Sequence, residues 1–152
     1  MKNRISLYKI VTLSLLISLF GVFITQQSFA QSQPAVTAIF DKYGSSKGVT
    51  LLEISEELMK DYQIKHFKSI IFENGNNALP EIRKAIEKDK IGAKRIKESI
   101  QNGLLMSGYY RLKTEETNMN RYLIFKVGKN NKTTLLYIEG KLSPEELIEL
   151  LK

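Results

Sequence analysis

The sequence predicts an α+β fold built on one mixed, largely antiparallel sheet of about five strands. Its expected order is α-β-α-β-α-β-β-β-α, with helices packed mainly on one face. Three observations carry this reading. The stretch from Arg121 to Leu151 holds two strand-like runs, a polar turn and a helix with a start signal. A third strand-like run precedes it, and consecutive strands imply an antiparallel meander. In the first half, strand-like runs alternate with helix-like ones, which implies crossover connections.

In the last stretch, Leu123, Phe125 and Val127 alternate with Tyr122, Ile124 and Lys126. Thr134, Leu136 and Ile138 alternate with Leu135, Tyr137 and Glu139. Both faces carry apolar residues, the pattern of central strands covered above and below. Phe125 is expected to face the helices, with Ile124 and Lys126 on the opposite face. Gly128 to Lys132 supplies the glycine and asparagines of a hairpin loop. Ser143 fits an N-cap, Pro144 the first helical position, and Glu145 and Glu146 the first turn with its capping box. Leu147, Leu150 and Leu151 form the apolar stripe of that helix.

Earlier in the chain, Val36, Ile39, Phe40 and Tyr43 follow helical spacing and Gly44 stands at the helix end. Val49 to Ile54 reads as a strand. Ser55, Glu56 and Glu57 open a short helix containing Leu58, Met59 and Tyr62. Phe67 to Glu73 is the next strand, and Asn74 to Asn77 a turn. From Pro80, the apolar positions Ile82, Ile86, Ala93, Ile96, Ile100 and Leu104 recur at helical spacings, interrupted at Asp89 to Gly92 and ended by Gly108. That predicts two helices or one kinked helix. Tyr109 to Thr114 follows as a strand.

Residues 1–30 read as a cleaved signal peptide. Lys2, Arg4 and Lys9 form a basic start, Ile10 to Ile24 an apolar run, and Ser28-Phe29-Ala30 a peptidase site. Residues 31–152 are then a single α+β domain. The formal charge of +7 overstates its basicity, because three of the 23 basic residues and none of the acids precede residue 31. No cysteine occurs, which excludes a lipobox anchor, disulfides and thiolate chemistry. The location implied is periplasmic or secreted, with no stable membrane span after cleavage.

The motifs Ile39-Phe40-Asp41-Lys42-Tyr43-Gly44, Gly48-Val49-Thr50, Leu51-Leu52-Glu53-Ile54-Ser55, Ile70-Ile71-Phe72-Glu73 and Leu135-Leu136-Tyr137-Ile138-Glu139-Gly140 give the chain a family look. It resembles a group of small secreted proteins of Bacteroidetes-type bacteria classed only as domains of unknown function. The resemblance spans nearly all of residues 31–152. It implies an extracytoplasmic protein and brings no catalytic or binding residues with it. Some relatives are lipoproteins, and this chain departs from them in lacking the cysteine.

Residue chemistry narrows the function classes. His66 is the only histidine and reads as an ordinary one in a linker between helix and strand. Glu53, Glu56, Glu57 and Asp61 read as helix-start acids rather than an acid–base pair. The basic residues from Arg83 to Lys97 are interleaved with Glu87 and Asp89, the pattern of a solvated face, so no nucleic-acid partner is expected. No phosphate loop, zinc spacing or nucleophile elbow occurs, so no catalytic residue, metal or cofactor is assigned. Tyr109, Tyr110, Tyr122 and Tyr137 concentrate on the last three strands. An uncovered sheet face there would make Tyr109, Arg111 and Tyr122 a partner-binding patch, against the plainer reading of aromatic cross-strand packing. The function expected is a non-enzymatic binding module for another envelope or secreted protein, in envelope maintenance or signalling. The alternatives are a carrier or sensor of a small apolar ligand lined by Ile82, Ile86, Phe125 and Ile138, and, remotely, a carboxylate hydrolase.

Overall fold

The strand runs of the final stretch form the middle of a six-stranded open sheet. The computed structural model describes residues 33–151, so the leader assigned to residues 1–30 lies outside the described residues. The elements in chain order are α1 (Thr37–Tyr43), β1 (Val49–Ile54), β2 (Ile64–Phe72), α2 (Leu79–Asp89), β3 (Lys94–Gln101), β4 (Leu104–Leu112), β5 (Asn120–Val127), β6 (Thr133–Gly140) and α3 (Pro144–Leu150). The strands lie in the order β1-β2-β6-β5-β4-β3. Every neighbouring pair is antiparallel, which corrects the expectation of a mixed sheet of about five strands.

Two local readings account for the difference. The segment after Ser55 is not an α-helix. It runs as successive tight turns, Leu58 N–H to Ser55 O and Met59 N–H to Glu56 O, both 3.1 Å, and then a 3₁₀ turn at Lys60–Tyr62. Such turns reverse the chain within a short link, so β2 pairs antiparallel to β1 and no crossover is needed. The larger correction is at residues 94–112. These form the β3–β4 hairpin, where a second helix was expected. Asn102 and Gly103 both have positive φ (52° and 75°), the backbone of a tight hairpin turn. Ile96 and Ile100 are spaced as a helix face would be, yet β3 is an edge strand exposed along nearly all its length. An edge strand open on both sides needs no alternation, so its apolar spacing carries no strand signal. Gly108, read as a helix end, is mid-strand. A Cβ there would lie 2.3 Å from the Tyr110 ring.

The helices occupy both faces, not mainly one. Val36, Ile39 and Phe40 of the α1 region and Leu79, Ile82 and Ile86 of α2 pack with Leu123, Phe125, Val127, Leu135 and Tyr137. On the other face, Leu147 of α3 packs with Tyr122, Leu136, Ile138 and Leu142. Helix α3 starts as expected: the Ser143 side chain accepts from Glu146 N–H (3.2 Å), and the Glu146 carboxylate accepts from Ser143 N–H (2.6 Å). The carbonyl of Leu142 accepts from both Asn120 Nδ2 (3.0 Å) and the Tyr122 hydroxyl (2.9 Å), which pins α3 to the sheet. The start of α1 is clamped by Asp89, whose carboxylate accepts from the amides of Ala35 (2.6 Å) and Val36 (2.8 Å). Burial nevertheless holds the Asp89 carboxyl above its usual pKa, outweighing those two amides.

Phe125 is 1% exposed among the residues of α1 and α2, while Lys126 reaches solvent, so the register expected for β5 is the one observed. Phe125→Ala should destabilise the protein by about 3–5 kcal/mol. Lys126→Ala should shift stability by no more than about 0.5 kcal/mol. Urea titrations of the two variants side by side check this, and equal effects would mean that the strand is inverted.

Candidate functional site

The tyrosine patch does not stand open as a unit. Tyr122 is fully buried beneath α3. Its ring meets that of Tyr109 edge-on at 6.1 Å, and burial raises its pKa. Tyr109 is half-buried, and its hydroxyl meets no hydrogen-bond partner among the described residues. Burial pushes that phenol up to about 12. Arg111 alone is exposed, and it lies directly opposite Lys94 across the β3–β4 pair. The residues offered as an apolar pocket are also divided. Ile82, Ile86 and Phe125 belong to the cluster on one face and Ile138 to the cluster on the other, so they line no common cavity. The sheet itself separates them. His66 is not in a linker but in β2, exposed, beside an irregularity in the β2–β6 pairing. Glu53 is paired with Lys68 at 2.8 Å, while Glu56, Glu57 and Asp61 lie exposed in the connection between β1 and β2.

A polar site missed from the sequence lies at one end of the face that α1 and α2 cover. Arg121 stands opposite Glu139 across β5 and β6, and Glu139 stands opposite His66 across β6 and β2. Directly opposed residues bring their Cβ atoms to about 5 Å. Arg121 is 6% exposed and Glu139 5%. Arg121 Nε donates to Glu139 Oε2 at 3.1 Å, and the Tyr137 hydroxyl donates to the same oxygen at 2.5 Å. Burial, and then this bond to Glu139, drives the Tyr137 phenol far above its usual pKa. One row along, Lys68 faces Tyr137. Gln33, Thr37 and Asp41 from the α1 side complete a cleft of about 290 Å³ with His66, Lys68 and Tyr137. Glu139 Oε2 already accepts two hydrogen bonds, so the buried part of this site is a clamp that holds β5 to β6. At its mouth Lys68 pairs with Glu53 (2.8 Å) and the Thr37 hydroxyl donates to the Pro34 carbonyl (2.7 Å).

A second polar cluster lies at the other side of the sheet. Glu98 accepts from the Tyr110 hydroxyl (2.6 Å) and from Arg95 (2.9 Å), and pairs with Lys90 at 3.4 Å. The bond from Tyr110 is the main cause of a lowered Glu98 pKa. Its neighbours already occupy this carboxylate. Among the described residues, no group of three or more histidine, cysteine, aspartate or glutamate side chains could hold a metal ion. No helix among them is long and apolar enough to cross a membrane.

The two sheet edges differ in kind. β3 carries Lys94, Arg95 and Lys97, and its pairing with β4 is broken by two register shifts. β1 pairs with β2 through six residues without a shift, and Glu53 is its one charged residue. Leu51 and Leu52 of β1 are exposed, Leu52 to 50%.

The fold and these features define a small α/β protein with one open antiparallel sheet, helices on both faces and no assembled catalytic set among the described residues. The chain belongs to the family described as "Family of unknown function (DUF6108)", which matches residues 23–151. No curated protein and no solved structure matches it.

Removing one partner of the buried ion pair leaves the other charge in a poor environment. Glu139→Leu alone should therefore cost about 3–5 kcal/mol. The double change Arg121→Met with Glu139→Leu should recover most of that loss. Chemical denaturation of both variants checks this. A double variant no more stable than the single one would show that the two side chains are not energetically coupled.

Proposed function

We propose that this protein is a secreted, non-enzymatic binding module of the bacterial envelope that takes a strand of a partner protein onto the β1 edge. The observation that carries the reading is the contrast between the two edges. Open strands are templates for further pairing, and proteins guard them with lysines and bulges. β3 has both defences. β1 has neither: it is regular, nearly uncharged and carries one exposed leucine on each face, Leu51 and Leu52.

An added strand would gain main-chain hydrogen bonds from the outward amides of β1, and its side chains would pack beside Leu51 on one face and Leu52 on the other. Glu53 is neutralised by Lys68, so the edge favours an apolar, alternating partner segment over a charged one. Exposed Leu58 and Tyr62, in the connection that follows β1, extend the apolar surface beyond the strand. Delivery to the envelope rests on the basic and apolar leader with its Ser28-Phe29-Ala30 site, and the bacterial setting on the family resemblance.

The test uses the chain from Gln31 onward as bait on an envelope fraction, followed by hydrogen exchange on the purified complex. The β1 amides should gain protection in the complex while those of β3 do not change. Leu52→Lys, which gives β1 the defence of β3, should weaken capture at least tenfold. Protection at β3 instead, or capture indifferent to Leu52→Lys, would overturn the reading. A stable dimer of the isolated chain that Leu52→Lys dissociates would do so as well, by assigning the edge to a second copy.

A further inference from the structure

The β3–β4 hairpin stands clear of the rest of the sheet at its turn. The last β4–β5 pair is Ser107 with Lys126, so Leu104 and the Asn102-Gly103 turn lie beyond it. Ile100 and Leu104 flank this turn and are 60% and 51% exposed. Ile100 pairs with Leu105 and Leu104 with Gln101, so the two apolar side chains point to opposite faces of the ribbon. A protein partner seated on one face would leave the other side chain in water. The base of the hairpin is fixed, because Arg83 Nε of α2 donates to the Leu105 carbonyl at 3.0 Å.

The unanswered charge around this turn has one sign. No acid occurs from Ser99 to Thr114 or from Thr117 to Ile138. Lys97 lies opposite Tyr109 and Lys126 opposite Ser107, in neighbouring rows of the same face. Lys129 sits in the β5–β6 turn, which projects from the same end of the sheet. All three lysines are exposed, and none makes a hydrogen bond or ion pair among the described residues. Glu98 follows Lys97 but points to the other face, where Arg95, Lys90 and Tyr110 hold it. Glu73, at the same end as the turn, is taken by Lys132 at 3.1 Å.

We propose that this end of the sheet docks on an anionic lipid bilayer, with Ile100 and Leu104 entering the headgroup boundary and Lys97, Lys126 and Lys129 meeting lipid phosphates. A lipid interface wets both faces of a ribbon pushed into it, which matches apolar side chains on both faces. The two contributions depend on each other. Two apolar side chains alone hold a protein weakly and reversibly, and lysines add attraction only where the surface is negative. β3 and β1 are opposite edges of the sheet, so the inference does not rest on the reading of β1, and the two partners do not compete.

The experiment is cosedimentation of the chain from Gln31, which holds every described residue, with vesicles of phosphatidylglycerol and phosphatidylethanolamine in equal parts. Vesicles of phosphatidylcholine should bind at least tenfold more weakly, and salt at about 0.5 M should release the protein from the anionic ones. Ile100→Ser with Leu104→Ser should weaken binding at least tenfold, and so should Lys97→Gln with Lys126→Gln. The chain has no tryptophan, so one introduced residue reports its own surroundings. Leu104→Trp emission should shift to the blue on the anionic vesicles, and Leu52→Trp emission should not. Leu52→Lys should leave vesicle binding unchanged, which separates this surface from the β1 edge. Equal binding to phosphatidylcholine, or a bound Leu104→Trp variant whose emission does not shift, would overturn the proposal. A dimer of the free chain that the double serine variant dissociates would also overturn it, by assigning the turn to a second copy.

Discussion

Burial of β5 and β6 on both faces is the constraint on which the rest of this structure depends. Each strand sits between neighbours in the sheet, and each presents apolar side chains up and down. Because side chains alternate, one residue of slippage would move Phe125 and Leu123 out of the α1–α2 core and bring Lys126 into it. The hairpin loop at Gly128 to Lys132 sets the register by bringing Val127 opposite Thr133. Everything further along the pair follows, including the position of Arg121 against Glu139. The ion pair therefore does not create the register. It penalises alternatives to it, since any slip would bury a charge without its partner.

Two-sided coverage also explains where function can reside. With α1 and α2 on one face and α3 on the other, the sheet has little open face to offer a partner. What remains accessible is the perimeter: the guarded edge at β3, the unguarded edge at β1, and the gap where α1 leaves β2 uncovered. The proposed lipid surface meets the turn that ends the first of these, and the proposed partner strand pairs with the second. Neither requires the core to rearrange.

Much of the fold was legible from residues alone, and the failures have physical causes. β5, β6 and the capped α3 could be read because burial on both sides, turn chemistry and capping all agree there. α1, β1 and α2 followed from ordinary periodicity. The β3–β4 hairpin escapes the periodicity because Ile96 and Ile100 fit a helix, although Asn102-Gly103 is a strong hairpin signal. The tyrosine patch failed at Tyr122 because α3 had to cover some face, and α1 and α2 had filled the other. The Arg121–Glu139 pair was within reach: six residues back from Val127 and six forward from Thr133, on the face of Phe125, lie these two charges. The cleft was not within reach, because it depends on how α1 crosses β2, and no local pattern encodes that. His66 illustrates the limit, since its neighbours in sequence say nothing of its place opposite Glu139.

Native-state hydrogen exchange tests the central claim most directly, by ranking the strands. If burial on both sides of β5 and β6 holds the fold together, their amides should exchange only through global unfolding, with free energies equal to that from denaturant titration. The β1 and β3 amides should open at lower cost. Exchange from β5 and β6 as fast as from β3 would contradict the account.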